Sequence, residues 1–367
     1  MEKENNKLEK IVALCKRRGF VFQGSEIYGG LAGTWDFGPL GAEMLHNIKE
    51  LWWQRFVASR DDMYGLASAT IMPEAVWKAS GHLDGFADPM VECVKCHHRF
   101  RADQLDDKKK CPDCRGTFGE ERKFNLLFPL GMGSVSGGGS TGYLRGEIAQ
   151  GMFVNFKNVL DTMRPKLPFG IAQVGKTYRN EIAPRDFLFR VREFDLMELE
   201  YFIRECEWEN AFEMWRKEMW AWIEDVGIDK DKVHELEVGV EDRAHYSKRT
   251  IDFEYDYPFG RKELYGLAYR TDHDLKKHME SSGADMGYQE EGTDKFVPHV
   301  VEPSFGAGRT FLAILDSAYT EDELGGEART YLRLSPKIAP VKAAVFPLLK
   351  NSPINIATTN RAIIAIL

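Results

Sequence analysis

Gly175-Lys-Thr-Tyr-Arg179-Asn-Glu181-Ile182, a polar loop through Pro184 to Phe189, and then Arg190-Val-Arg-Glu-Phe194-Asp-Leu-Met-Glu198-Leu-Glu200 read as a strand, a loop and a returning strand. Successive side chains on a strand face opposite ways, so Arg190, Arg192, Phe194, Leu196, Glu198 and Glu200 are expected on one face. A core face does not carry two arginines and two glutamates, and a solvated face rarely places an aromatic ring among them. A binding site accounts for the order. Guanidinium forks suit phosphate oxygens, a phenyl ring can stack on a base, and carboxylates attract an ammonium. On the residues alone, an exposed strand laced with cross-strand ion pairs is the alternative.

Further strands are expected at 170–180, 190–203, 251–257, 262–269 and 297–304. Short connections without helical crossovers make an antiparallel sheet, and with flanking helices an α+β fold. Helices are expected at 8–18, from Pro39 through Leu45, Ile48, Leu51, Trp52 and Phe56, and at 147–163. A stripe of Trp208, Phe212, Trp215, Met219, Trp222 and Val226 is core packing, not chemistry. The glycine-rich run at 131–140 lacks the Gly-Lys-Ser/Thr ending of a phosphate-binding loop, so a mobile linker or lid is expected there.

A second constellation is Val297-Pro-His-Val-Val-Glu302-Pro-Ser304-Phe-Gly306-Ala-Gly308-Arg309-Thr310. Glu302 and Ser304 share a strand face, the glycines allow close approach, and the following helix N-terminus favours an anion. Arg309 opposes its local helix dipole unless a phosphate neutralises it; a plain surface arginine is the alternative. Cys93-x-x-Cys96 and Cys111-x-x-Cys114, with fourteen residues between, indicate one closed four-cysteine zinc ribbon of structural type. A redox pair, or His97 or His98 in place of one cysteine, is the alternative. The net charge of −8 supplies no overall field for nucleic acid, so any RNA contact must be local. No apolar run approaches the roughly 20 residues of a membrane span, and the polar start gives no leader, so a cytoplasmic protein is expected.

Arg179-Asn-Glu181 with Val-Arg-Glu-Phe194 resembles motif 2 of the class II aminoacyl-tRNA synthetases. Glu302-Pro-Ser304-Phe-Gly-Ala-Gly-Arg309 resembles motif 3, and the segment around Pro39 resembles motif 1. The wording is most similar to the homodimeric glycyl-tRNA synthetases, with support from Ser25 to Gly33, Val76 to His82 and Glu263 to Asp272. The likeness runs from about residue 8 to residue 350. It implies a class II sheet flanked by helices, and activation of glycine by ATP before transfer to tRNA(Gly). It also implies Mg2+ with the ATP, a structural Zn2+, and a homodimer formed through the motif 1 region.

By the same resemblance, Arg179 holds the α-phosphate, Glu181 accepts from the adenine amino group, and Phe194 stacks on the base. Arg309 covers the other face of the adenine and shares the γ-phosphate with Arg190. Glu302 meets magnesium or the substrate amine. Glu147, Glu198, Glu263 and Ser304, with Glu302, form the glycine pocket, and Cys93, Cys96, Cys111 and Cys114 hold the metal. Catalysis is then expected from Arg179, Glu302 and Arg309 by positioning and charge, with no protein nucleophile.

Two departures stand out: Arg145-Gly146-Glu147-Ile148 where the family has Pro-Glu-Thr, and Tyr269 where a small polar residue is usual. The expected organisation is a catalytic domain in two parts, 1–90 and 120–333, with a helical insertion at about 205–250. The ribbon occupies 91–119, and 334–367 is the start of a truncated anticodon-binding domain, a shortening expected to weaken tRNA charging. Two other readings remain open on sequence: a non-catalytic paralogue, and a class II synthetase for another small amino acid.

Overall fold

The computed structural model describes residues 2–105, 107–133, 139–244 and 246–343. Helices α1 (Glu2–Arg18), α2 (Pro39–Trp53), α3 (Ala149–Met163), α4 (Trp208–Asp225), α5 (His273–Ser282) and α6 (Ala307–Ala318) surround one large sheet. Its strands are β1 (Met63–Gly65), β2 (Phe169–Tyr178), β3 (Glu193–Ile203), β4 (Val233–Glu237), β5 (Arg249–Tyr257), β6 (Gly260–Thr271) and β7 (His299–Gly306). Their spatial order is β4-β5-β6-β7-β3-β2-β1. Every neighbouring pair is antiparallel except β1 with β2. The expected antiparallel α+β sheet is therefore present.

Period-two alternation along β3 divides its side chains between two cores. Met197, Leu199, Tyr201 and Ile203 face α2, α4 and α6, where Trp52, Trp215 and Trp222 are buried. Leu196 and Phe202 face the other way, with Phe153 and Phe156 of α3 and Phe169 of β2. Burying each such ring contributes about 1.5–3 kcal/mol. The aromatic stripe of α4 does what its spacing predicts: Phe212, Trp215, Met219 and Trp222 have no exposed surface. Helix α2 begins with Pro39, which needs no donor partner there. Gly41, one turn in, crosses so close to the chain that an added Cβ would lie 1.8 Å from the Phe20 carbonyl oxygen.

Four smaller sheets accompany this frame among the described residues, and two of them carry segments that the sequence singled out. Strands Arg99–Arg101, Ala87–Glu92 and Arg122–Asn125 form one, in that order, and carry the cysteines beyond their ends. Phe128–Met132 pairs with Ser140–Leu144 in the other. The two ends of the expected linker or lid are thus paired strand, and residues 134–138 lie outside the described residues. So do 344–367, where most of the expected start of a further domain falls.

Candidate active site

The sheet face shared with α3 and α5 is not fully covered. Between that core and the segment 238–244 lies a cavity of about 600 Å³. Strand register lays a row across its floor: Glu198 of β3 opposite Ser304 of β7, Ser304 opposite Gly266 of β6, and Gly266 opposite Asp252 of β5. Gly266 leaves the middle of the row open, since an added Cβ would meet nothing within 4 Å.

One end of the cavity is cationic. Arg179, Arg190 and Arg309 line it, joined by Arg101 from the ribbon sheet. The Arg179 guanidinium lies 5.3 Å from the Phe194 ring and 5.1 Å from Phe86, and its Nε donates to the Gly146 carbonyl at 3.1 Å. Arg190 Nη1 is 3.4 Å from a Glu181 oxygen. Arg309, in the first turn of α6, is 4.4 Å from the Phe189 ring and 3.1 Å from Glu263 Oε2. The charge of Arg309 holds the Glu263 carboxyl below its ordinary range. Arg101 pairs with Asp88 at 2.7 Å. With acids on Arg190, Arg309 and Arg101, this end is arranged for an anion that would compete for the same donors.

The other end is acidic and buried. Glu302 receives Arg270 Nη1 on both oxygens at 2.9 Å, while the other arm of the same guanidinium binds Asp274 in the first turn of α5 at 2.8 Å. The Tyr246 ring covers that guanidinium at 3.8 Å. Glu147 pairs with His82 Nε2 at 3.1 Å and accepts from Gln150 at 2.9 Å. Burial opposes the charge of Glu147, but the charge and hydrogen bond of His82 outweigh it and hold the carboxyl well below the usual range. Burial, then the neighbouring charges of Glu302 and Glu147, push Glu198 the opposite way. The acids here outnumber the cations they face, and a substrate ammonium would redress that balance.

The cavity therefore gathers Arg179, Glu181, Arg190, Phe194, Glu147, Glu198, Glu263, Glu302, Ser304 and Arg309, which the sequence singled out on four separate segments. Glu263 sits with Arg309 at the cationic end, apart from the amine cluster. Three expectations need correction. Strand β3 begins at Glu193, so Arg190 and Arg192 precede it and alternation does not govern them. Arg192 turns away and donates to the Ala32 and Glu181 carbonyls. Tyr269 lies on the opposite sheet face from Ala268 and Arg270, stacked on Trp208 at 4.5 Å with its hydroxyl 2.6 Å from His299 Nδ1. The departure at Tyr269 therefore lies outside the cavity lining. Gly146 fits its place because an added Cβ would lie 2.9 Å from Phe86. Sequence reasoning missed Arg270, Asp252, Arg101 and Tyr246. An arginine inside the apolar run Leu267 to Arg270, four residues before Asp274, was a signal for the first of them.

The four cysteine sulfurs lie within 4.8 Å of one another, with Cys93–Cys114 at 3.4 Å and Cys96–Cys111 at 3.7 Å. A tetrahedral zinc with bonds of about 2.3 Å places its sulfurs about 3.8 Å apart, so the set fits. The two turns repeat each other. His97 and Arg115 have φ of 59° and 61°, and their amides donate to the Cys93 and Cys111 carbonyls at 2.9 Å. His97 and His98 bond Glu92 and Asp113 instead of joining the sulfurs.

Residues 140–318 match the family model for the tRNA synthetase class II core domain (G, H, P, S and T). The glycine–tRNA ligase of Caldanaerobacter subterraneus subsp. tengcongensis is 48% identical over 372 residues, covering 94% of this chain and 81% of its own. The chain belongs to the glycine–tRNA ligase family. The Clostridium acetobutylicum glycine–tRNA ligase is 47% identical, over 95% of this chain and 82% of its own. Beyond the glycine–tRNA ligases, the fold is similar to Giardia lamblia prolyl-tRNA synthetase in complex with prolyl-adenylate. That likeness has a TM-score of 0.69 at 16% identity, over 97% of this chain and 59% of the other. No helix among the described residues is long and apolar enough to cross a membrane.

Proposed function

We propose that this chain activates glycine with ATP to glycyl-adenylate and transfers the glycyl group to tRNA(Gly). The observation that carries the reading is the division of one cavity into a cluster of arginines and a buried acidic end, separated by the open floor at Gly266. ATP enters as its magnesium complex. Arg179 takes the α-phosphate, where charge grows during attack, and Arg190 and Arg309 release Glu181 and Glu263 to take the outer phosphates. Glu181 is then free for the adenine amino group, with Phe194 and Arg309 on the two faces of the base. Glu198, Glu302 and Ser304 receive the glycine ammonium. Glu302 serves the amine rather than magnesium, because Arg270 fixes it deep in the acidic end. Glu147, bound to His82, adds charge to the same acidic end.

The glycine carboxylate oxygen attacks the α-phosphorus and pyrophosphate leaves. The terminal ribose hydroxyl of the tRNA then attacks the carbonyl carbon, and AMP leaves. The protein positions the reactants and steadies charge, with no covalent step of its own. Cys93, Cys96, Cys111 and Cys114 hold a structural zinc, two chains pair through the motif 1 region, and the enzyme works in the cytoplasm.

Glycine-dependent ATP–pyrophosphate exchange tests the reading. Arg179→Ala should lower exchange by about 10²–10³-fold with an unchanged unfolding temperature. A variant as active as the parent contradicts the role of Arg179. Faster exchange with alanine or serine than with glycine contradicts the substrate.

A further inference from the structure

Glu200, two residues beyond Glu198, has no exposed surface, and neither of its carboxyl oxygens has a hydrogen-bond partner. The register that pairs Glu198 with Ser304 and Tyr201 with Val301 sets Glu200 opposite Glu302 across β3 and β7. Its neighbour on β2 is Ile171, which offers no charge. Oxygens of Glu198, Glu200 and Glu302 lie within 4.8 Å of one another. Arg270 makes no hydrogen bond to Glu200: four of its five N–H donors go to Glu302 and Asp274.

Two carboxylates opposed on neighbouring strands in a buried site cannot both remain ionised without a cation between them. Glu302 holds both contacts from Arg270, so the charge rests on Glu302 and the proton on its neighbour. As carboxylates the two groups only accept; with a proton, Glu200 becomes a donor.

We propose that Glu200 is a neutral acid that donates a hydrogen bond to Glu302 and so positions that carboxylate for the glycine ammonium. Burial, followed by the charge of Glu302, raises the Glu200 carboxyl well above its ordinary range, in keeping with this role. Glu302 would then be held by Arg270 through charge and by Glu200 through a directional bond. The negative charge of the pocket would also stay within what one ammonium can balance. Glu200 itself does not touch glycine. The inference rests on the reading of this pocket as the glycine site.

The test is glycine-dependent exchange in the whole chain with Glu200→Gln and Glu200→Leu, each checked by its unfolding temperature. The amide of glutamine still donates to Glu302, so the glycine KM should stay within about twofold of the parent. Leucine keeps the volume and loses the donor. It should raise the glycine KM at least about tenfold and leave the ATP KM unchanged. A glutamine variant as impaired as the leucine variant means that an ionised carboxylate is required, and overturns the inference. So does a leucine variant with the parent's glycine KM. If the leucine variant does not fold, Glu200→Met replaces it under the same criteria. Exchange by the parent and its loss in Glu302→Gln report on the glycine site separately, whatever the Glu200 variants do.

Discussion

Asp252 lies on the cavity floor opposite Gly266, and burial, with the charges of Glu263 and Glu254, raises its carboxyl to about 7. In the unfolded chain an aspartate titrates near about 3.9. Between those values the folded state holds the extra proton, so this group makes stability fall as pH rises from about 4 to 7. Asp252→Asn removes that dependence. The variant should melt with the parent at pH near 4 and about 1–3 °C above it at pH 8. Melting curves that run parallel across that window would refute the assignment. The same residue shows where sequence reading stops. Glu198 and Glu302 were legible as charges on strand faces, Ser304 by sharing a face with Glu302, Arg309 by opposing a helix dipole, and Arg179 only through the resemblance to motif 2. Asp252 sits in Thr-Ile-Asp-Phe-Glu-Tyr, where charged and apolar residues alternate as on any half-exposed strand. Only the pairing of β5 with β6 turns it toward a ligand. Arg192 errs in the opposite direction: alternation was applied to a residue that precedes the strand.

Strands and helices were read well where one face alone is apolar, as in α4. The ribbon was legible from cysteine spacing, but its sheet extends from Ala87 to Asn125, past the stretch of unusual composition. That extension matters, because Cys93 follows one end of the strand Ala87–Glu92 and Asp88 lies near the other. Asp88 pairs with Arg101 at the cationic end of the cavity, so the metal knuckles and the proposed ATP site share two short strands. Zinc held at one end should therefore order the other. Cys96→Ser with Cys111→Ser should bind no zinc by elemental analysis, where the parent binds one per chain. It should melt several degrees lower, each kcal/mol being worth about 2 °C in a chain of this size. Its KM for ATP should rise more than its KM for glycine, because Arg101 stands apart from Glu302. Equal shifts in both constants would separate the ribbon from the ATP site.

At the scale of the whole molecule, the sheet order places segments far apart in sequence side by side, and no local pattern states that order. β7 lies between β3 and β6, and α6 follows it directly, which is why the motif 3 arginine meets a glutamate 46 residues earlier in the chain. What could be read was that several segments each carried part of one chemistry. The loop that precedes the motif 1 region adds a surface argument. Ile27 and Tyr28 are 89% and 86% exposed, the most exposed large apolar side chains among the described residues. Their loop is not loose, since Arg192 donates its side chain to Ala32 and its amide to the Gly33 carbonyl at 2.7 Å. An ordered loop that presents apolar side chains to water fits an interface. Sedimentation equilibrium should give twice the chain mass for the parent. Ile27→Asp with Tyr28→Asp should shift it toward a single chain, since burying such side chains is worth about 1.5–3 kcal/mol each. The chain's charge of −8 opposes pairing, but the repulsion is screened beyond about 8 Å at physiological salt. Dimerisation should accordingly tighten with added salt. A double variant that sediments like the parent would place the interface elsewhere on the molecule.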